Sequence, residues 1–595
     1  MTVARLFPGL VVAALHATGG AAAQTPPASP PATSPDGQWT MPARDYAATR
    51  YSPLAQITTA NAARLRAVWS FSTGVLGGHE GQPLVVGQTL YVVTPYPNVL
   101  YAFDLGRPDY PLRWKYRPDV DPNAVGIACC DAINRGAFYA GGKIVYNLLD
   151  GRTVAIDAAS GKELWKTKIA ELAQGETTPV APFIVRDRVL VGASGGEFGI
   201  HGWLKGLDLA SGRIVWTAYN VGPDSELLAR PGVFRAFYDR GPDLGARSWS
   251  GDTWRHGGGP VWGWMAYDPA LDLVYYGAGN AAPYNPEQRL GDNKWTASVL
   301  ARRPTDGALV WAYQFTPHDS WDYDANAEMI LADLPVGGVR RHVLVHFDKN
   351  GFAYTLDRAT GEVLVAEAFV PVTWAKRVDG ASGRPVVDST KLTGASHGNV
   401  KDVCPSLEGG KTPAAPAAYS PRTGLFYVST NNLCMDYEAT LATRIAGTPF
   451  LGANTPYHAG PGGHLGAFLA WDAARGRKVW ETKEHYPVWS GVLATGGNVV
   501  FYGTLDGWFK AADAATGREL WRFKVGSGVV GNPISYLAPD GKQYVAVYAG
   551  IGGDWFLLAG DVRSDDPADV RPPADFMRDL ARHTSQGGIL WLFAL

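Results

Sequence analysis

One short pattern recurs along this chain and constrains its fold more than anything else in it. The segments AIDAASGKELW (155–165), GLDLASGRIVW (206–216), AWDAARGRKVW (470–480) and AADAATGRELW (511–521) share one frame. Each is an apolar strand, a turn that opens on Asp and ends on Gly, then a second strand closing on Trp four residues after the Gly. PTDGALVW (304–311) is a fifth copy, and LDRATGEVLV (356–365) a sixth with Val365 where Trp belongs. RLRAVW (64–69) and PLRW (111–114) read as two eroded copies. A repeated unit of this size cannot bury its apolar faces alone, so the copies must stack on one another.

Trp69, Trp114, Trp165 and Trp216 fall about every 45–51 residues, the length of one propeller blade. GKIVYNLLDGRTVAID (142–157) and NVVFYGTLDGWFKAAD (498–513) each place two apolar strands around Asp-Gly, the signature of a two-residue hairpin turn. At 595 residues the chain is too long for one simple core, and repetition is the way such lengths are built. The 71 Gly and 21 Trp fit many tight turns between aromatic strands and exclude a helical bundle. Eight copies predict an all-β fold, an eight-bladed β-propeller with tryptophan-docking repeats. A net charge of -2 argues against nucleic acid as a partner.

The N-terminus has Arg5, a short apolar run over residues 9–15, and Ala21-Ala22-Ala23 before Gln24. That is the pattern of a secretory signal peptide cleaved near Ala23, with an apolar run too short to span a bilayer. Residues 24–37 read as a Pro-rich disordered lead-in, and residues 38–595 as a single propeller domain. No later stretch has eighteen apolar residues in a row, so no membrane span is expected, and the mature protein is expected where disulfides persist.

Four cysteines allow three pairings, and spacing does not choose among them. Cys129 and Cys130 are adjacent. Their Cα atoms, about 3.8 Å apart across a trans peptide, lie below the usual disulfide range, so a bond there would close a strained eight-membered ring. Cys404 and Cys434 would pair across an ordinary loop of about thirty residues.

The Asp-to-Gly turn with its trailing Trp, and the run ACCDAINRG (128–136), resemble the quinoprotein methanol and ethanol dehydrogenases that use pyrroloquinoline quinone, PQQ. The likeness runs from DGQWTMPARDYAATRYSPL (36–54) to GGILWLFAL (587–595). It implies a vicinal disulfide between Cys129 and Cys130 that packs against the quinone. The chain also has no Gly-x-Gly-x-x-Gly opening a helix and no Cys-x-x-Cys-His haem site, so neither nicotinamide nor bound haem is expected.

Hard cations take oxygen ligands, and three Gly- or Asp-rich stretches offer them. Glu197 stands in GASGGEFG (192–199), Asn280 in GAGNAAPYN (277–285), Asp322 and Asp324 in PHDSWDYDANAE (317–328). By the resemblance Glu197 and Asn280 are metal ligands, and Asp322 is the catalytic carboxylate that also touches the metal. Asp324 separates two kinds of relative, since calcium enzymes have a small residue there and lanthanide enzymes a second Asp. A trivalent ion has more charge to neutralise, and alternate residues of an extended segment face one side, so Asp324 favours one lanthanide(III) ion over Ca²⁺.

The same resemblance gives the cofactor cradle. Glu80 and Arg135 would meet the quinone's carboxylates and ring substituents, while Ser194, Gly195 and Gly196 would offer hydroxyl and backbone groups. Trp262 would stack opposite the disulfide, Asn431 and Trp489 would complete the rim, and Lys349 would hydrogen-bond the reactive carbonyl. Three residues depart from the family pattern. Pro179 stands where a cofactor-binding Thr is expected, leaving Thr177 or Thr178 to compensate, and Thr178 is taken as the contact. Tyr284 replaces a Trp of the alcohol pocket, and Asp554 disturbs a Gly-Gly-Trp run; both weaken any strict preference for methanol.

The implied activity is oxidation of methanol or another short primary alcohol to the aldehyde, in the periplasm, with a c-type cytochrome as electron acceptor. A homodimer is the family's usual habit. The rivals are a calcium-dependent ethanol dehydrogenase of the same fold and a non-catalytic propeller scaffold. The scaffold has no need of Cys129, Cys130, Glu197, Asn280 or Asp322.

Overall fold

The repeated turn closes on its own aspartate. Asp157 accepts hydrogen bonds from the Ser160 N–H (2.8 Å) and hydroxyl (2.6 Å), while the Gly161 N–H donates to the Asp157 carbonyl at 2.9 Å. Asp208 holds Ser211 and Gly212 in the same way. Each such turn joins the third and fourth strands of a four-stranded antiparallel sheet. A computed structural model of the chain describes residues 1–2, 33–229, 235–236, 238–553 and 579–595. Residues 3–23 of the expected signal peptide, residues 24–32 of the lead-in, and Asp554 with Trp555 lie outside these residues.

Eight sheets follow one another. The first runs from Leu84–Val86 to Leu112–Tyr116, the second from Ala137–Ala140 to Glu163–Lys168, and the third from Phe183–Val185 to Ile214–Tyr219. The fourth spans Met265–Asp268 to Leu309–Gln314, and the fifth Ile330–Val336 to Val363–Ala368. The sixth runs from Ala418–Ser420 to Arg477–Glu484, and the seventh from Leu493–Thr495 to Glu519–Lys524. The eighth joins Ile534–Leu537, Gln543–Ala549 and Ile589–Ala594 to Arg66–Ser72 from the other end of the chain. That last pairing closes the propeller and leaves no open edge between first and last blades.

The tryptophans lock each blade to the next. Trp114 lies on Gly161 of the following blade so closely that an added Cβ there would come within 2.6 Å of the indole. Trp165 covers Gly212, Trp216 covers Gly307, Trp311 covers Gly361, and Trp480 covers Gly517. The indole N–H groups of Trp165, Trp216, Trp480 and Trp521 donate to carbonyls of the next blade at 3.0–3.1 Å. Val365 occupies the place of the missing Trp against Gly476. Trp69 completes the circle against Phe103 and Tyr110 of the first blade, at 5.4 and 5.6 Å between ring centroids. A buried indole removes about 150–250 Å² from water, on the order of 4–6 kcal/mol before side-chain entropy.

Two expectations need correction. Lys143–Leu148 and Arg152–Asp157 do form a hairpin, but three residues join them, with Gly151 at φ 82°. Val499–Gly503 and Trp508–Asp513 likewise turn through Gly507 at φ 85°. Gly after Asp serves here as the left-handed residue of a longer loop rather than as half of a two-residue turn. The lead-in also ends earlier than its composition suggests. Thr33 bridges Asp45, and the Ser34 N–H donates to the Arg44 carbonyl at 2.7 Å.

The strand meander sorts the connections between two ends of the ring. The repeated turns between third and fourth strands, such as Asp157–Gly161, collect at one end. Links between blades, and loops joining second and third strands, collect at the other. One large excursion occurs at that second end, between Leu425–Asn431 and Gly466–Asp472 of the sixth blade. Its strand Leu433–Ala439 pairs with Asn399–Val403, Ala453–Asn454 and Tyr457–Ala459. The disulfide Cys404–Cys434 ties this small sheet down.

Candidate active site

A cavity of about 470 Å³ opens at the end of the ring opposite the repeated turns. Its lining comes from inter-blade links (Cys129, Cys130, Arg135, Trp262, Asp322, Asp324) and from second-to-third-strand loops (Ser194, Glu197, Tyr284, Lys349). Leu451, Ala453, Thr455 and Tyr457 of the sixth-blade excursion cover one side. The Phe450 N–H donates to the Glu197 carbonyl at 2.6 Å and pins that cover to the third blade.

Cys129 and Cys130 are disulfide-bonded to each other, and Trp262 forms another part of the wall. Arg135 pairs with Glu80 at 2.8 Å, donates to the Trp262 carbonyl at 3.2 Å, and lies 4.8 Å from the Trp262 ring centroid. Guanidinium, carboxylate and indole are thereby fixed relative to one another, and a cation over an aromatic face is itself favourable.

The carboxylates gather around one ammonium. Lys349 Nζ donates to Asp322 Oδ2 at 3.0 Å and to Asp324 Oδ2 at 2.9 Å, and all three residues are buried. The other oxygen of Asp324 accepts the Asn280 N–H at 2.7 Å. Gly196 backs directly onto the Asn280 side chain, where an added Cβ would lie 2.0 Å from Oδ1, so only glycine fits. The Tyr284 hydroxyl donates to Glu197 Oε1 at 3.4 Å.

Asp322 adopts a left-handed backbone, φ 62°. Such a residue costs on the order of 1–3 kcal/mol unless its surroundings hold it. Asp319 helps to hold it, accepting the N–H groups of Trp321 (3.0 Å) and Tyr323 (3.1 Å) on either side. Burial pushes the Asp319 carboxyl up to about 6. Burial, reinforced by the charges of Asp324 and Glu197, also pushes Asp322 well above the usual carboxylate range despite Lys349. For Lys349, burial acts to lower the ammonium, but Asp322, Asp324 and Glu408 outweigh it and hold it above its ordinary value.

Among the described residues, both amide atoms of Asn280 and Oδ1 of Asp322 are buried with no hydrogen-bond partner. Leaving such groups unmet costs about 1–3 kcal/mol each. An oxygen-seeking cation beside Glu197, Asn280, Asp322 and Asp324 would satisfy the amide oxygen of Asn280, and it would offset the excess of carboxylates over the one ammonium. The donor set therefore fits a hard metal ion, and the cavity between disulfide and indole has room for a flat cofactor.

Not every expected residue reaches the cavity. Thr178 is turned away, its hydroxyl donating to the Leu148 carbonyl at 2.5 Å, while Thr177 and Pro179 on either side line the wall. Alternation along an extended segment explains this. Gly195 and Gly196 are buried, and of the three only Ser194 lines the cavity. Asn431 and Trp489 lie behind the wall, Trp489 donating to Asn431 Oδ1 at 2.7 Å and Asn431 to the Glu408 and Gly409 carbonyls. They support the segment whose Gly410 N–H bonds the Lys349 carbonyl. Sequence reasoning missed Glu408, which lines the cavity beside Lys349; its one signal was a carboxylate next to two glycines in CPSLEGG (404–410).

Residues 39–387 and 473–545 match the family described as glucose/ethanol/alcohol dehydrogenase, beta-propeller domain, labelled PQQ. A lanthanide-dependent methanol dehydrogenase of Methylacidiphilum fumariolicum is 51% identical over 568 residues, 94% of this chain and 92% of the relative. Another from Methylorubrum extorquens is 47% identical over 93% of each chain. The solved structure of a europium-containing methanol dehydrogenase superposes with a TM-score of 0.90 at 50% identity, covering 94% of this chain and 98% of its own.

Proposed function

The chain belongs to the β-propeller family of PQQ-dependent alcohol dehydrogenases, and from that premise we propose that it oxidises methanol or other short primary alcohols to aldehydes with a bound lanthanide(III) ion. The observation that carries the metal reading is Asp324. It adds a third carboxylate to Glu197 and Asp322 around a buried, unpartnered Asn280 amide. Similarity to enzymes named for lanthanide dependence and to a europium-containing structure supports the same choice.

When bound, PQQ supplies an acceptor for the hydrogen and electron pair leaving the alcohol carbon, and the cation supplies Lewis acidity. The chain's own residues do the rest. Oδ2 of Asp322 is held by Lys349, which leaves the unpartnered Oδ1 to take the hydroxyl proton of the alcohol. Lys349 remains an ammonium, a point charge that balances the carboxylates and can donate to a cofactor oxygen. The Glu80–Arg135 pair orients polar groups on the cofactor rim. Tyr284, Leu407, Leu451 and Tyr457 bound the space for the alkyl group and exclude water from it.

Electrons leave through a separate c-type cytochrome, in keeping with the lack of a haem-attachment motif in this chain. Export to the periplasm rests on the signal-peptide pattern of residues 1–23. Among the described residues no helix is long and apolar enough to cross a membrane.

The test is reconstitution of the metal-free apoprotein with PQQ and either La³⁺ or Ca²⁺, followed by assay of methanol, ethanol and longer primary alcohols with a dye acceptor. Turnover with La³⁺ should exceed turnover with Ca²⁺ and extend beyond methanol. No turnover with either ion would rule the reading out.

A further inference from the structure

We propose that Asp131 is a positioning residue that clamps the Cys129–Cys130 floor of the cavity to the loop carrying Glu80. The proposal rests on the PQQ reading for its consequence, and on the following geometry for its existence. Asp131 directly follows Cys130 and sits at φ 75°. Its Oδ2 accepts the Gly78 N–H at 2.9 Å and the Gly553 N–H at 3.0 Å, while Oδ1 accepts the Ala132 N–H at 2.7 Å.

Those donors lie in three separate connections of the propeller. Gly78 is in the link from the closing strand Arg66–Ser72 to the first blade, and Ala132 in the link from the first blade to the second. Gly553 follows Gln543–Ala549 of the eighth blade. One carboxylate thus joins the two ends of the chain's circuit at the cavity wall. The three segments meet so closely that an added Cβ on Gly552 would lie 2.0 Å from the Gly78 nitrogen and 2.3 Å from Asp131 Oδ2.

The clamp acts on both candidate cofactor contacts at once. Two residues past Gly78 stands Glu80, and an added Cβ on Gly553 would come within 2.1 Å of Glu80 Oε1. Glu80 in turn pairs with Arg135, four residues beyond Asp131. His79 packs the same loop as a neutral ring, bonded to Thr73 Oγ1 and to the Gly77 carbonyl at 2.9 Å each, with burial pushing it down to about 4. The residue after Asp131 is tied to another loop as well, the Tyr96 N–H donating to the Ala132 carbonyl at 2.8 Å. A carboxylate that accepts several backbone N–H groups holds them more firmly than a neutral acceptor does, which suits a residue that fixes one loop to another at a cavity wall.

Asp131→Ala and Asp131→Asn separate a clamp from general support of the fold. In the apoprotein, phosphine reduction of Cys129–Cys130 is followed by alkylation and mass spectrometry, with Cys404–Cys434 as internal reference. In parallel, PQQ is titrated in the presence of La³⁺. The Ala variant should open the vicinal disulfide about tenfold faster and bind PQQ about ten- to a hundredfold more weakly, with Cys404–Cys434 unaffected. The Asn variant should recover most of both, because its amide oxygen still accepts the Gly78 and Gly553 N–H groups. Wild-type behaviour of the Ala variant in both measurements overturns the clamp, and so does an Asn variant as impaired as Ala. Failure of the wild type to bind PQQ counts against the functional reading alone, since the reduction experiment uses no cofactor.

Discussion

Asp322→Asn is expected to lower kcat by about a hundred- to ten-thousandfold, the range a positioned general base contributes, when assayed with PQQ and La³⁺ at saturation. The amide can still accept the Lys349 hydrogen bond that Oδ2 accepts now at 3.0 Å, so the Lys349 side of the site should stand. What it cannot do is take a proton at the position of Oδ1, the oxygen left without a partner. Because Asp322 is also proposed as a metal ligand, both cofactors must be quantified in the variant before its rate is read. Near-normal turnover with both bound would remove Asp322 from the role of base.

The second large effect falls on the metal. Asp324→Ala should weaken La³⁺ binding by about two to three and a half orders of magnitude, the equivalent of the roughly 3–5 kcal/mol lost when one partner of a buried charge pair is removed. Calcium, with less charge to neutralise, should lose much less, so the preference between the ions narrows or reverses. Asp324 has two other duties, holding Lys349 Nζ at 2.9 Å and the Asn280 N–H at 2.7 Å, and truncation disturbs both. Asp324→Asn keeps the shape and an acceptor for Asn280 while removing the charge. Competitive titration of La³⁺ against Ca²⁺ in both variants separates the electrostatic loss from the structural one. Unchanged selectivity in the Asn variant would mean that the third carboxylate does not select the ion.

The propeller was legible because its rule is local. Five docking Trp, from Trp114 to Trp480, meet a Gly of the next blade, and an Asp stands in each of those Gly turns, so one frame repeats down the chain. The eroded copy at Trp114 docks on Gly161 as the full ones do, Trp69 packs on Phe103 and Tyr110 instead, and Val365 stands in for a Trp without breaking the ring. The candidate metal site came from the family resemblance instead, since Glu197, Asn280, Asp322 and Asp324, each taken alone in a Gly- or Asp-rich stretch, read as ordinary turn residues.

What stayed hidden depends on which way a side chain turns. Nothing in GETTPVAP (175–182) says that Thr177 faces the cavity and Thr178 the Leu148 carbonyl; the pairing of Thr177 with Ser194 decides it. Asn431 and Trp489 belong to the site's motifs, yet they act from behind Lys349 rather than on the wall. Asp131 was hidden inside ACCDAINRG, because its partners Gly78 and Gly553 are remote in sequence and offer only backbone N–H groups. The excursion that covers the cavity carries no repeat at all. Its strands are short, and their order is set by pairing across to Asn399–Val403 and by the Cys404–Cys434 bond.

The central claim is that this chain builds a site for PQQ and a trivalent ion. Its most direct test is the metal and PQQ content of the protein produced with PQQ and with Ca²⁺ in large excess over a lanthanide, then freed of loosely bound ions. One lanthanide ion and one PQQ per chain is the expected result. A chain that carries PQQ with calcium alone under those conditions, or that binds neither, contradicts it.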